Sequence, residues 1–219
     1  MLKFSDIRKN ERIKTYIKKA DESLNVMGYT EHSFAHVTKV ALLAGEILET
    51  LSFDKRHIEL AKIAGFLHDI GNLINRHNHA LSGAQMAFRI LDHLDMPPED
   101  VAMIVSATGN HDEDTGFPVN SIAAALILAD KSDVRRSRVR NTDIPSFDIH
   151  DRVNYSVEKS QLIINKDKTE ITLFLDIDTS LSSIMDYFEI FLDIMVLCRK
   201  AAEVLNLKFN LIINGQTIM

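Results

Sequence analysis

Two neighbouring stretches carry apolar residues at helical spacing and place polar chemistry on the same face, and this combination constrains the fold most. In "FAHVTKVALLAGEILETL", His36, Val40, Leu43 and Ile47 fall at i, i+4, i+7 and i+11 on one side of a helix. In "DKRHIELAKIAGFLHDIG" the stripe is Leu60, Ile63, Leu67 and Ile70, with Asp54 as a cap and Gly71 as the residue just past the helix end. His36 lies on the inward stripe of the first helix. The doublet His68-Asp69 closes the apolar run of the second. Polar groups so placed are either satisfied spots in a core or parts of a ligand set whose other members lie elsewhere in the chain.

The helical period extends over residues 1 to about 140. Ile7, Ile13, Ile17 and Leu24 make one amphipathic stretch, and "HALSGAQMAFRILDHL" reads as another. Pro97 and Pro98 open "PEDVAMIVSATG", since proline is tolerated in a first helical turn. "SIAAALILADKSDVRRSRV" reads as the next helix. The pattern then changes. "NTDIPSFDIHDRVN" reads as a connector, and "SQLIINKDKTEITLFLDID" as two β-rich runs around the turn Asn165–Lys168. A long helix from Leu181 to Leu205 and a strand in "LKFNLIING" follow. The expected architecture is mainly α: a helical core over residues 1–145, then a small α+β unit, ββαβ, over residues 146–219. That unit could pair strands across a homodimer, or fold over a pocket as a lid.

Composition narrows the classes. An apolar fraction of 46% predicts a packed core. A net charge of −6 argues against general nucleic-acid binding, which requires a basic face. The single cysteine, Cys198, sits in the apolar stretch "FLDIMVLCRK" and reads as a core residue; it excludes a disulfide within the chain. The sequence has neither a signal-peptide apolar region nor an apolar run of membrane-spanning length, so neither a membrane association nor export is expected, and the expected location is cytoplasmic.

The possible partners of His68-Asp69 are spread along the helical part. Asp130 directly follows "IAAALILA", where an unpaired carboxylate would be strongly unfavourable without a cation, a metal or hydrogen bonds beside it. His79 opens its helix and is followed at i+4 by Gly83, which permits close backbone approach. His111 begins the carboxylate-rich "HDEDTGFP" after its helix. Each signal alone is weak. Together they put a histidine or aspartate on the inner face or at the end of successive helices.

In this order the residues resemble the H…HD…H…H…D pattern of the HD superfamily of metal-dependent phosphohydrolases: His36, His68-Asp69, His79, His111 and Asp130. The resemblance covers roughly residues 30 to 140 and leaves the C-terminal unit unassigned. It implies that His36, His68 and Asp130 hold one divalent metal and His79 and His111 a second, with Asp69 bridging the two. Imidazole and carboxylate suit iron or manganese first, with zinc, cobalt, nickel or magnesium also possible. It further implies a hydroxide between the metals that attacks phosphorus, so that Asp69 and His68 belong to the catalytic centre. The implied substrate is a phosphate-containing small molecule, an ester or anhydride and foremost a nucleotide. Lys131 and Arg135, in the basic stretch after Asp130, and His32, one turn before His36, are the candidate substrate-binding residues. The segment also resembles a shortened cyclic-dinucleotide phosphodiesterase loop, but Asn110, Phe117 and Asn72 depart from that pattern. The alternative is an HD-type di-iron oxygenase of a phosphonate or polyol, which uses the same six ligands.

Overall fold

The computed structural model describes residues 2–219. Helices α1 (Phe4–Lys9), α2 (Glu11–Val26), α3 (Phe34–Thr50), α4 (Lys55–Leu67), α5 (His79–Asp92), α6 (Pro98–Gly109) and α7 (Ser121–Lys131) form the first part. Their starts follow from local chemistry. Asn10, Ser33, Asp54 and Asn120 each accept hydrogen bonds from backbone N–H groups of the first turn that would otherwise lack partners. α6 begins with Pro98 and carries Glu99 and Asp100 in its first turn, where acidic groups complement the helix dipole.

α7 is the central helix: every side chain from Ile122 to Ala129 is buried. α3, α4 and α6 pack around it, so Val40, Ala44, Leu60, Ala64 and Ile104 share one continuous core with it. A helix apolar all round must be buried all round. Asp130 and Lys131 at its end therefore come out at the centre of the protein rather than at its surface.

The second part contains α8 (Ile149–Ser156), the strands β1 (Val157–Ile164) and β2 (Glu170–Ile177), α9 (Ile184–Val204), β3 (Lys208–Ile213) and the short β4 (Gln216–Thr217). β1 pairs antiparallel with β2, β2 parallel with β3, and β3 antiparallel with β4. A parallel pair needs a long crossover, and α9 supplies it. Alternating Ile171, Leu173, Leu175 and Phe209, Leu211, Ile213 form the buried face of the sheet. α9 packs between this sheet and α7, and Ile194, Leu197, Cys198 and Ala201 join the same core as α7. Among the described residues, no helix is long and apolar enough to cross a membrane.

Several boundaries differ from the sequence reading. The last helix of the first part stops at Lys131 rather than running on to Val139; Asp133 turns inward and Arg136–Arg138 form a 3-10 turn. The reason is tertiary: the Asp133 carboxylate is drawn to His36, and the Arg138 carbonyl accepts the Glu31 N–H at 2.8 Å. The expected connector contains α8, capped by Asp148. The long helix starts at Ile184, after the Ser183–Asp186 capping box. β4 was not expected. α4 ends at Leu67, so Gly71 lies in the following 3-10 turn, Ile70–Leu73, and is not a left-handed helix terminator. Its need for glycine is spatial: a Cβ there would lie 2.0 Å from the His79 carbonyl oxygen and 2.4 Å from the Gly83 nitrogen. The two glycines let the doublet's turn press directly onto the start of α5.

Candidate metal centre

The helices bring four imidazoles to one point, and each is oriented through its Nδ1 atom. His36, in the first turn of α3, donates from Nδ1 to Asp133 Oδ2 at 2.8 Å. His68, at the end of α4, donates from Nδ1 to the Gly65 carbonyl at 2.8 Å. His79 donates to the Arg76 carbonyl at 3.1 Å and His111 to the Thr108 carbonyl at 2.6 Å. Carbonyl and carboxylate oxygens only accept, so Nδ1 carries a proton in all four rings and Nε2 is the atom that faces inward.

Those Nε2 atoms face one another and two carboxylates. His36 Nε2 lies 3.3 Å from His68 Nε2 and 3.3 Å from Asp130 Oδ1. Asp69 Oδ2 is 3.0 Å from His68 Nε2 and 3.5 Å from His36 Nε2. Its other oxygen, Oδ1, lies 3.4 Å from His79 Nε2, and His79 Nε2 is 3.2 Å from His111 Nε2. All six side chains are buried or nearly so. Electron-rich atoms at these separations repel unless protons or cations lie between them, and imidazole nitrogen with carboxylate oxygen is the donor set of a divalent transition metal. The residues fit such a group. Two sets can be drawn, His36–His68–Asp130 and His68–Asp69–His111.

The charges support the same reading. Burial opposes ionisation of Asp69 and Asp130, yet His68 beside both, with Lys131 next to Asp130, holds them well below the usual carboxylate range. Burial lowers the proton affinity of His68, but the Asp69 and Asp130 carboxylates outweigh it and raise its pKa to about 10. Burial pushes His111 well below the usual histidine range, leaving it a neutral donor of a lone pair.

The centre opens into a cavity of about 490 Å³. His32 lines it: Nδ1 donates to the Thr30 carbonyl at 2.7 Å, Nε2 lies 4.0 Å from Asp69 Oδ2, and burial keeps the ring neutral. Lys131 lines it too, with Nζ 2.7 Å from Glu113 Oε2 and 3.0 Å from Asp130 Oδ2. Arg135, expected beside them, does not line the cavity. Its guanidinium turns away to bond Glu31 at 2.9 Å and Asp133 at 3.0 Å.

The sequence reading missed three contributors, and a fourth, Arg138, stood behind Lys131 and Arg135 as a candidate. Asp133 is fully buried and orients His36, held in turn by Lys39 and Arg135; its spacing of three from Asp130, in "DKSD", was an available signal. Asn72 donates from Nδ2 to the Asp69 carbonyl and to Asp69 Oδ1, both at 3.0 Å, and so fixes the carboxylate between the histidine pairs. Arg76 and Arg138 line the cavity; Arg138 belongs to the basic stretch after Asp130, while nothing in the sequence distinguishes Arg76 from any other polar loop residue. The far wall comes from α8 and α9, through Asn154, Ile190, Phe191 and Ile194 among others.

A helical protein whose bundle closes on an imidazole–carboxylate metal centre is the class that fold and site define. Residues 33–144 match the HD domain, and the chain belongs to that family. It is 25% identical over 186 residues to an uncharacterized protein of Methanocaldococcus jannaschii, a match covering 73% of this chain and 70% of that one. It is 33% identical over 105 residues to ribonuclease Y of Lawsonia intracellularis, covering 47% of this chain but only 18% of that much longer protein. Among solved structures, a predicted HD superfamily hydrolase from an uncultured Thermotogales bacterium aligns at TM-score 0.46 and 24% identity, over 57% of this chain and 67% of that one.

Proposed function

We propose that this protein is a metal-dependent phosphohydrolase that cleaves a phosphate ester or anhydride of a small molecule, foremost a nucleotide, with two divalent metals at its centre. The observation that carries this is the Asp69 carboxylate, one oxygen toward His36 and His68 and the other toward His79. A carboxylate so disposed suits a bridge between two cations. Membership in the HD family supports hydrolysis, and the ribonuclease Y relatives are by name nucleases. Nothing in the relatives favours the oxygenase alternative.

His36, His68, Asp69 and Asp130 would hold one metal, and Asp69, His79 and His111 the other; iron or manganese fits these donors best. When bound, such metals supply Lewis acidity to phosphoryl oxygens and acidify water. The chain's own groups do the rest. Lys131 is largely buried and kept cationic by Asp130 and Glu113, with which it is paired, so it holds Asp130 in place beside the centre. Neutral His32 lines the cavity, with Nε2 4.0 Å from Asp69 Oδ2, and offers a hydrogen-bond acceptor there. Asn72 and Asp133 hold Asp69 and His36 in place.

The test joins metal analysis to activity. The protein, purified without a metal-chelating tag, is analysed for metals per chain and assayed for phosphate release from a nucleotide panel with Mn(II) or Fe(II). About two metals with turnover of one phosphate class is the expected result. Iron with oxygen consumption on a phosphonate or polyol, and no phosphate release, would replace this reading with the oxygenase.

A further inference from the structure

Most cations around the centre are already neutralised. Arg135 pairs with Glu31 and Asp133, Lys39 with Asp133, Lys131 with Glu113 and Asp130, and Arg140 with Asp21. Two arginines that line the cavity are different. Arg138 is only 9% exposed, yet its Nε and Nη1 donate to backbone carbonyls, those of Glu31 and Asp133, both at 2.9 Å. Arg76 contacts the Tyr29 ring, with its Cζ 5.7 Å from the ring centroid, and approaches His79 Nε2 at 3.5 Å. Among the described residues neither forms an ion pair with a carboxylate. Both line the cavity into which the centre opens. The Arg138 charge acts on the Glu31 and Asp133 carboxylates but bonds neither, so this nearly buried guanidinium remains open to an oxyanion. The two carbonyls hold the Arg138 fork rigid, and an oxyanion in the cavity would complete it.

The α8 and α9 part of the lining has another character: the α8 segment contributes Asp148, His150, Asp151 and Asn154. α9 turns Ile190, Phe191 and Ile194, one side of the helix, into the same cavity. The ligand that satisfies both walls has a doubly charged phosphate at one end and an apolar or ring-shaped body at the other. The volume of about 490 Å³ suits a small molecule rather than a polymer strand.

Building on the phosphohydrolase reading, we propose that Arg76 and Arg138 clamp the dianionic phosphate of a phosphomonoester of nucleoside-monophosphate size, whose body lies against Ile190, Phe191 and Ile194 of α9. The reaction is then monoester hydrolysis. The oxygen of one water bonds to phosphorus, the ester P–O bond breaks, and a proton from that water ends on the departing alcohol, giving alcohol and inorganic phosphate. The C-terminal unit selects the substrate, and the family motif performs the chemistry.

The test uses the full-length protein loaded with Mn(II), in calorimetric titrations and phosphate-release assays. The probes are inorganic phosphate, a purine 5′-mononucleotide, its 3′,5′-cyclic diester and a trinucleotide. The mononucleotide is expected to bind at least about tenfold more tightly than either diester, as loss of charged hydrogen bonds implies. Arg76→Ala and Arg138→Lys are each expected to weaken inorganic phosphate and the mononucleotide alike by about tenfold, with metal content unchanged. Arg138→Lys keeps the charge and removes the planar fork, so it tests geometry while sparing the fold. Phe191→Ala is expected to weaken the mononucleotide several-fold and inorganic phosphate not at all. Equal binding of the diesters, indifference of both arginine variants, or an equal effect of Phe191→Ala on phosphate and mononucleotide would each overturn the proposal. The underlying reading fails separately: the expected binding pattern without phosphate release from any probe would support the clamp and remove the hydrolase. Turnover that ignores the arginines would do the reverse.

Discussion

The two histidine pairs of the centre are built to different standards. On one side His36 and His68 come from the long helices α3 and α4. His36 is oriented by a buried side chain, Asp133, which Lys39 and Arg135 hold in turn. On the other side His79 and His111 stand at a helix start and just past a helix end, each oriented only by a backbone carbonyl three residues earlier. The residue before His79, Asn78, takes a left-handed conformation, and the segment after His111 is an irregular turn. His68, like His79 and His111, is oriented by a backbone carbonyl three residues earlier, that of Gly65, so His36 alone is oriented by a tertiary side-chain contact. Were two metals bound, the side that includes His36 would hold its metal more firmly and the His79–His111 side would release it first.

Asp69 tests the comparison most severely, because it serves both pairs. Asp69→Ala should abolish metal binding and activity together; full metal content in that variant would remove the bridging role. Next in size is Gly71→Ala. Its Cβ collides with the backbone at His79 and Gly83, so the start of α5 must shift. The expected outcome is loss of the weaker metal with the other retained, and a destabilisation of several kcal/mol seen in thermal or denaturant unfolding. A variant of wild-type stability with two metals would break the close-approach argument. Asp133→Asn keeps the size of the side chain and weakens the support of His36 together with the ion pairs to Lys39 and Arg135. Metal affinity on that side should drop by about 10–100-fold, measured by competition with a chelator, and so erase the inequality between the pairs. The smallest effect concerns neither pair. Burial pushes the Cys198 thiol up to about 12, so thiol reagents should leave it unmodified in the folded protein and label it on unfolding. Rapid labelling under native conditions would mean that α9 detaches from α7.

The same division explains what could be read beforehand. Four of the six proposed ligand positions, His36, His68, Asp69 and Asp130, were legible because they interrupt or close the apolar runs of α3, α4 and α7, where a polar group needs a reason; His79 and His111 stood out only through their order in the family pattern. The helices themselves were legible for the complementary reason, as at α7, where only a helix buried all round accommodates "IAAALILA". Arg135 was misplaced because a basic stretch does not say which guanidinium already has a carboxylate. Here Glu31, over a hundred residues away, claims it. Arg76 and the α9 wall were illegible, and Arg138 could not be ranked within its basic stretch, since their importance arises from contacts, or their absence, between distant segments. Asp133 stood between these cases: its spacing was visible, but its partner became known only when α3 and α7 met.

That meeting has a mechanical consequence. His36 and Asp133 are 97 residues apart in sequence, and no disulfide can form within a chain of one cysteine. A cation held between α3 and α7 would act as a reversible staple across the bundle, present only in the folded form. Its binding energy then adds to folding stability by mass action. The melting temperature should follow the free metal concentration, so metal supply sets the protein's lifetime against heat and proteolysis as well as its turnover.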